Sequence, residues 1–234
     1  MNENEFQKKR NDLVRYLKET QAITHLEIEK AFLEIPRETF VSEGYKEMAY
    51  LNDALPSEKE QTISQPQTIA IMLELLQAEK NMNVLEIGSG TGYVMALLSK
   101  IVGEKGNVYG IELEEALVEK ANERLKKLQI KNAQLKQGDG ALGWKEKSPF
   151  DRILVSCSCP FVPPELFKQL KEKGKIVAPV GDSYDQQLLI IEKFKGKMIK
   201  KMDSGGLYQF VPLRSKTIQK NPQELRGIKL DQKF

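Results

Sequence analysis

The chain has 234 residues, 40% of them apolar, and carries 36 basic against 33 acidic side chains for a net charge of +3. That charge is too evenly balanced to argue for nucleic acid, and the apolar fraction can fill a core of generous size. No apolar run approaches the roughly 18 to 20 residues of a membrane-spanning helix. MNENEFQKKR is charged where a signal peptide would be apolar, so a cytoplasmic protein is expected, without membrane or nucleic-acid partners and monomeric. The two cysteines, Cys157 and Cys159, make neither a disulfide framework nor a zinc set, and no metal is expected. As i and i+2 on a strand they would form a strained bridge, so both read as free, small core residues.

Glu5 to Thr20 and Thr24 to Glu34 carry apolar residues at helical spacing (Leu13, Val14, Leu17; then Ile28, Ala31, Phe32) and predict two helices. Pro36 ends the second, and Arg37 to Tyr50 continues as short helix and loop. Leu51 to Glu60 has no period and contains Pro56, which predicts an exposed connection. In QTISQPQ, Gln61 to Gln67, small hydroxyls at Thr62 and Ser64 surround Ile63, and Pro66 is placed to start a helix over Thr68 to Gln77. Ser64 is then either the N-cap of that helix or a group with chemistry to perform; spacing alone does not choose.

Asn83 to Tyr93, NVLEIGSGTGY, organises the rest. Val84, Leu85 and Ile87 predict a buried strand, and Val94, Leu97, Leu98 and Ile101 a helix, with Gly88, Gly90 and Gly92 between them. Such glycines permit positive φ and let a ligand approach without a Cβ in the way, beneath the open N–H groups of the helix. A dinucleotide loop, GxGxxG, would need its third glycine where Tyr93 stands. The spacing fits the GxGxG loop of S-adenosylmethionine-dependent methyltransferases better, with a plain strand-to-helix turn as the structural alternative.

Asn107 to Ile111 predicts a second strand ending at Glu112, where a Rossmann-type fold holds a ribose diol. The other reading of Glu112 is a solvated or helix-capping acid, since Glu114 and Glu115 follow. Glu114 to Leu128 predicts a helix and Ala133 to Lys136 a strand. QGDGA, Gln137 to Ala141, brings Asp139 to the same edge unless it is a simple turn. Arg152 to Ser156 is a fourth strand running into SCSCP, Pro163 to Lys171 a helix, and Lys175 to Pro179 a fifth strand. From Gln186, QQLLIIEKF and MIKKM read as an antiparallel hairpin, and Gly206 to Leu213 as a last strand. The whole is an α/β class chain, a Rossmann-like seven-stranded methyltransferase sheet, mostly parallel with an antiparallel C-terminal hairpin, plus an N-terminal helical extension. Residues 1–80 form that helical segment with its QTIS loop, 81–213 the cofactor-binding core, and 214–234 a basic tail with six Lys/Arg against Glu224 and Asp231.

From about Ile35 to Leu213 the chain resembles the protein-L-isoaspartate O-methyltransferases. QTISQP at Gln61 to Pro66 is the most specific match; IPRETFV at Ile35 to Val41, VLEIGSGTGY, GDG, FDRILV, LKEKGKIVAPVG at Leu170 to Gly181 and FVPL at Phe210 to Leu213 agree in order. The resemblance implies methyl transfer from S-adenosyl-L-methionine, leaving S-adenosyl-L-homocysteine, to the α-carboxylate of L-isoaspartyl residues in damaged peptides and proteins. It implies that Thr62, Ile63 and Ser64 meet the substrate, Ser64 being the active-site serine. It also implies that Glu86, Gly88, Ser89, Gly90, Gly92, Glu112, Leu113, Asp139, Gly140 and Gln219 hold the cofactor.

A carboxylate is already ionised at neutral pH, so attack on a sulfonium methyl needs no general base, which suits a chain whose one histidine, His25, falls in an N-terminal helix and reads as structural. Ser57 to Glu60, Gln67, SCSCP at Ser156 to Pro160 and Arg214 depart from the family pattern and bear on the acceptor. The alternatives are a related methyltransferase with another carboxylate or small-molecule acceptor, a cofactor-binding module without turnover, and, least well matched, a base-amine methyltransferase or a nicotinamide oxidoreductase.

Overall fold

A computed structural model describes residues 1–57, 61–182, 185–203, 205–215 and 217. Helix α1 (Glu3–Glu19) opens with a capping box in which Asn2 and Glu5 satisfy each other's backbone N–H groups, and it buries Leu13, Val14 and Leu17. Helix α2 (Leu26–Glu34) buries Ile28, Ala31 and Phe32 and stops before Pro36. Two short 3-10 turns, Arg37–Thr39 and Glu43–Met48, lead to a two-residue hairpin of β1 (Leu55–Pro56) and β2 (Thr62–Ile63). The stretch from Leu51 is therefore not simply an exposed connection: Leu55 is buried beside Ile63 in the core, and two residue pairs suffice to form the hairpin without any visible period.

Helix α3 (Pro66–Leu76) leads into the sheet strands β3 (Asn83–Ile87), β4 (Asn107–Glu112), β5 (Ala133–Gln137), β6 (Phe150–Val155), β7 (Leu170–Gly181), β8 (Gln186–Phe194) and β9 (Lys197–Met202). Their order is β5, β4, β3, β6, β7, β8, β9, with the β7–β8 and β8–β9 pairs antiparallel and the others parallel. Helices α4 (Tyr93–Val102) and α5 (Glu115–Lys127) are the crossovers from β3 to β4 and from β4 to β5. The predicted helix over Pro163 to Lys171 is shorter, α6 (Pro164–Lys168), because β7 takes the chain from Leu170.

Alternate residues of the central strands feed two cores. Val84, Val108 and Leu154 face the helical layer of α1 to α4, while Leu85, Ile111 and Val155 face the layer that contains Leu166 of α6. Helices α1 and α2 share the first core with α3 and α4, Phe32 meeting the Tyr93 ring edge-on at 6.4 Å. The strand expected over Gly206 to Leu213 does not form. That segment makes two isolated bridges in place of a ladder, Tyr208 with Gln186 of β8 and Pro212 with Ser158 beyond the end of β6. Pro212 has no N–H for a ladder, and the segment crosses the strand ends as a strap.

Candidate active site

The parallel strands β4, β3 and β6 end at one edge of the sheet, where β3 is flanked by both neighbours and successive crossovers diverge, the place where open α/β sheets bind ligands. A cavity of about 490 Å³ lies there, within the roughly 300 to 1,000 Å³ of small-ligand sites.

Glu86, the fourth residue of β3, points to the helical side, and the carboxyl is 1% exposed. Ser156 Oγ, just beyond β6, donates to Oε1 at 2.7 Å, while Oε2 has no partner. Burial pushes this carboxyl up to about 8, against the Ser156 bond and the nearby Ser89 hydroxyl and with a push from Glu112. An unpartnered buried acceptor is destabilising, so the position favours a donor or a cation from a ligand. Gly88 and Gly90 line the cavity above it with φ of +76° and +49°. A Cβ at Gly90 would meet only the Gly88 carbonyl oxygen at 4.0 Å, so this glycine keeps the wall low and relieves no clash. Ser89 sits below the loop, in a smaller space that it shares with Glu86.

Glu112, at the end of β4, joins wall and loop. Its Oε2 accepts from the Gly90 N–H at 2.9 Å, and Oε1 accepts from the Leu113 and Glu114 N–H groups at 2.7 and 3.1 Å. Leu113 forms part of the exposed rim, and Gly140 lies in the wall, where a Cβ would sit 2.4 Å from Ile87 Cγ2. Gly92 and Asp139 are placed differently from the rest of the predicted cofactor set. Gly92 takes φ +85° at the start of α4 and packs on Ala121 of α5, away from the cavity. The Asp139 carboxylate accepts from the Ala141 N–H at 3.0 Å and from the Ser215 and Thr217 hydroxyls at 2.8 and 3.3 Å, anchoring the chain beyond the strap. Gln219 lies outside the described residues.

The facing wall is the turn from β2 into α3. Thr62 and Ser64 line the cavity, and neither hydroxyl makes a hydrogen bond among the described residues. Ile63 turns the other way, 4% exposed in the core. Ser64 is not the N-cap: that position belongs to Gln65, and α3 begins at Pro66. Behind the turn stands Arg37, which the sequence shows only as part of PRETFV. It is fully buried; Nη2 donates to the Ser64 carbonyl and Nε to the Ala49 carbonyl, both at 2.9 Å, and the guanidinium lies 5.1 Å from the Tyr93 ring centre. Burial lowers its pKa to about 10, which leaves it a cation.

The strap covers the site. Tyr208 N–H bonds the Gln186 carbonyl at 2.8 Å and Phe210 N–H bonds Gln186 Oε1 at 2.7 Å, while Leu213 N–H reaches the Ser158 carbonyl at 2.7 Å. Arg214 pairs with Glu114 at 2.8 Å. Cys157 borders the cavity beside Gly88, and burial pushes both its thiol and that of Cys159 up, Cys159 to about 12, so neither is a nucleophile at neutral pH. His25 sits at the N-cap position of α2 against Glu74, outside the cavity. Among the described residues no cluster of His, Cys, Asp and Glu could hold a metal, and no helix is long and apolar enough to cross a membrane.

The model of a family described as Protein-L-isoaspartate(D-aspartate) O-methyltransferase (PCMT) matches residues 8–218. The chain belongs to this family. A protein-L-isoaspartate O-methyltransferase from Pyrococcus horikoshii is 42% identical over 215 residues, 91% of this chain and 96% of the relative. The enzyme of that name from Vibrio parahaemolyticus is 46% identical over 179 residues, 76% and 83% of the two chains. A solved protein-L-isoaspartate O-methyltransferase superposes with a TM-score of 0.83 at 33% identity, covering 91% of this chain and 69% of the other. A putative family member from Plasmodium falciparum, solved with S-adenosyl-L-homocysteine, shares the fold with a TM-score of 0.76 at 24% identity, covering 87% and 97%.

Proposed function

We propose that the protein transfers a methyl group from S-adenosylmethionine to the α-carboxylate of an L-isoaspartyl residue, a step of protein repair. The observation that carries the reading is the pair of hydroxyls, Thr62 and Ser64, unbonded among the described residues and facing a glycine loop and Glu112 across one cavity, in a chain of this family.

The residues present fit the cofactor. The unpartnered Glu86 Oε2 offers an acceptor to a cationic amino group, Gly88 and Gly90 leave room for close approach, and Glu112 faces the cavity as the acceptor for a ribose diol. When bound, S-adenosylmethionine supplies an electrophilic methyl on a sulfonium sulfur. The chain's part is orientation. An α-carboxyl with a reference pKa of roughly 3.5 is ionised at neutral pH, so no group has to remove a proton before attack. Thr62 and Ser64 donate to the incoming carboxylate and aim one oxygen along the methyl axis, and the strap with Phe210 and Leu213 limits water around it. Neither serine nor cysteine acts as a nucleophile. Asp139 and Gly92 support the site from outside, the first by fastening the chain after the strap, the second by seating α4 on α5.

The same reading has the enzyme acting as a monomer in the cytoplasm, on polypeptides and not on nucleic acid or membranes. The test is transfer of labelled methyl to two peptides that differ only in L-isoaspartate against L-aspartate. Label on the isoaspartyl peptide alone is the predicted result; label on both, or on neither with cofactor binding confirmed, refutes the assignment of acceptor.

A further inference from the structure

Helix α3 begins immediately beside the reactive turn, yet it has no cap of its own. The side chain at its N-cap position, Gln65, makes no capping bond, and Pro66 has no N–H to satisfy. The first free donor is the Gln67 N–H, and a side chain from a separate segment takes it: Asn52 Oδ1 accepts it at 3.0 Å. Asn52 Nδ2 in turn donates to Gln67 Oε1 at 2.8 Å, closing a ring of two hydrogen bonds, and the Asn52 carbonyl accepts from Gln65 Nε2 at 2.9 Å. Asn52 thus grips both Gln65 and Gln67, around the proline that follows Ser64 by two positions. The first-turn N–H of Gln67 is thus taken by Asn52 and not by Ser64, which stands one residue before the N-cap position and whose hydroxyl makes no hydrogen bond among the described residues.

We propose that Asn52 is a positioning residue for methyl transfer: it caps α3 from outside the helix, which fixes the turn and keeps the Ser64 hydroxyl free for the substrate carboxylate. This rests on the reading of Ser64 as a substrate contact. Two features connect it to this particular chain. Gln67, which completes the ring, stands where the sequence departs from the family pattern, and Tyr16 of α1 comes within 3.4 Å of the same Gln67 oxygen, tying the N-terminal helix to the turn. Arg37 holds the Ser64 carbonyl from the opposite side, so main chain is clamped on both flanks while the hydroxyl between them is left loose.

A double-mutant cycle tests it with wild type, Asn52→Ala, Ser64→Ala and the double variant. The readout is the dissociation constant of an isoaspartyl peptide from enzyme saturated with S-adenosylhomocysteine, measured beside methyl transfer and cofactor affinity, so that variants without turnover still report. Asn52→Ala should weaken peptide binding about tenfold, the scale of a lost cap, with cofactor affinity unchanged. In the Ser64→Ala background the same substitution should have no further effect on the peptide. Asn52→Asp, which keeps an acceptor for the Gln67 N–H, should restore binding. Should Asn52→Ala fold poorly, Gln67→Met removes only the side-chain half of the ring and gives the same cycle. Equal loss in both backgrounds, or a lowered melting temperature with peptide binding intact, overturns the role of Asn52 while leaving that of Ser64 standing. Unchanged binding and transfer in Ser64→Ala refutes the substrate contact itself, and the proposal with it.

Discussion

On the wall built from β3 and β4, Glu112 collects three backbone N–H groups and holds the glycine loop through that of Gly90, whereas on the wall built from β2 and α3 the Thr62 and Ser64 hydroxyls bond to nothing among the described residues. The first wall is a mould whose shape is set before any ligand arrives; Glu86 Oε2 is a buried side-chain oxygen that it leaves without a hydrogen-bond partner among the described residues. The second wall is held from behind its reactive face, where Arg37 and Asn52 bond the main chain of Ser64 and Gln67 and leave the Thr62 and Ser64 hydroxyls unbonded among the described residues. Binding a cofactor tightly and orienting a transient nucleophile call for these different arrangements, because only contacts that strengthen at the transition state raise the rate.

Removing the brace of the first wall should have the largest effect. Glu112→Ala deletes a ribose acceptor and frees three N–H groups, so cofactor affinity should fall by roughly 1 to 3 kcal/mol in a titration, the range for hydrogen bonds to a charged group; unchanged affinity would remove Glu112 from the cofactor site. A smaller effect should come from pH. The Glu86 carboxyl, pushed up to about 8 by burial among Ser156, Ser89 and Glu112, is protonated in the free protein at pH 6 to 7. A cationic ligand group on Oε2 favours the carboxylate, so binding expels that proton and affinity should rise by up to about tenfold per pH unit until the ligand's amino group itself titrates at roughly 7.7. Glu86→Gln should flatten this profile in calorimetric titrations at pH 6 and 7.5. In the free protein the raised value works against stability: folding retains the proton, so stability contributed by Glu86 declines as pH climbs from the ordinary carboxyl range towards 8. The smallest effect should come from Gly92→Ala, which forces φ +85° on a residue with a Cβ against Ala121. It should lower stability by about 1 to 2 kcal/mol in thermal melts, with cofactor affinity retained because Gly92 does not line the cavity.

The first wall was legible in the sequence because its determinants are local: a β-branched run, glycines at alternate positions and an acid at a strand end are each read within ten residues. The hairpin of β8 and β9 was legible for the same reason, through the turn at Lys195 and Gly196. The second wall was visible only in outline. QTISQP marked the turn by resemblance, but its supports, Arg37 and Asn52, act across 27 and 15 residues of chain, and nothing in their neighbourhoods announces the contact. Gly92 and Asp139 show the converse limit. Their spacing placed them with the cofactor residues, while tertiary packing turned one towards α5 and the other towards Ser215. GLYQFVPL has the composition of a strand, but Pro212 lacks the N–H a ladder needs and the segment pairs only at isolated bridges.

The division of labour between the walls is tested most directly by Ser64→Ala, with cofactor affinity and isoaspartyl-peptide turnover measured on one preparation. In this variant kcat/KM for the peptide should fall roughly 10- to 100-fold, the cost of one hydrogen bond to a charged group, with S-adenosylmethionine affinity unchanged. Equal losses of turnover and cofactor affinity would contradict it, and would make Ser64 a structural part of the cofactor mould.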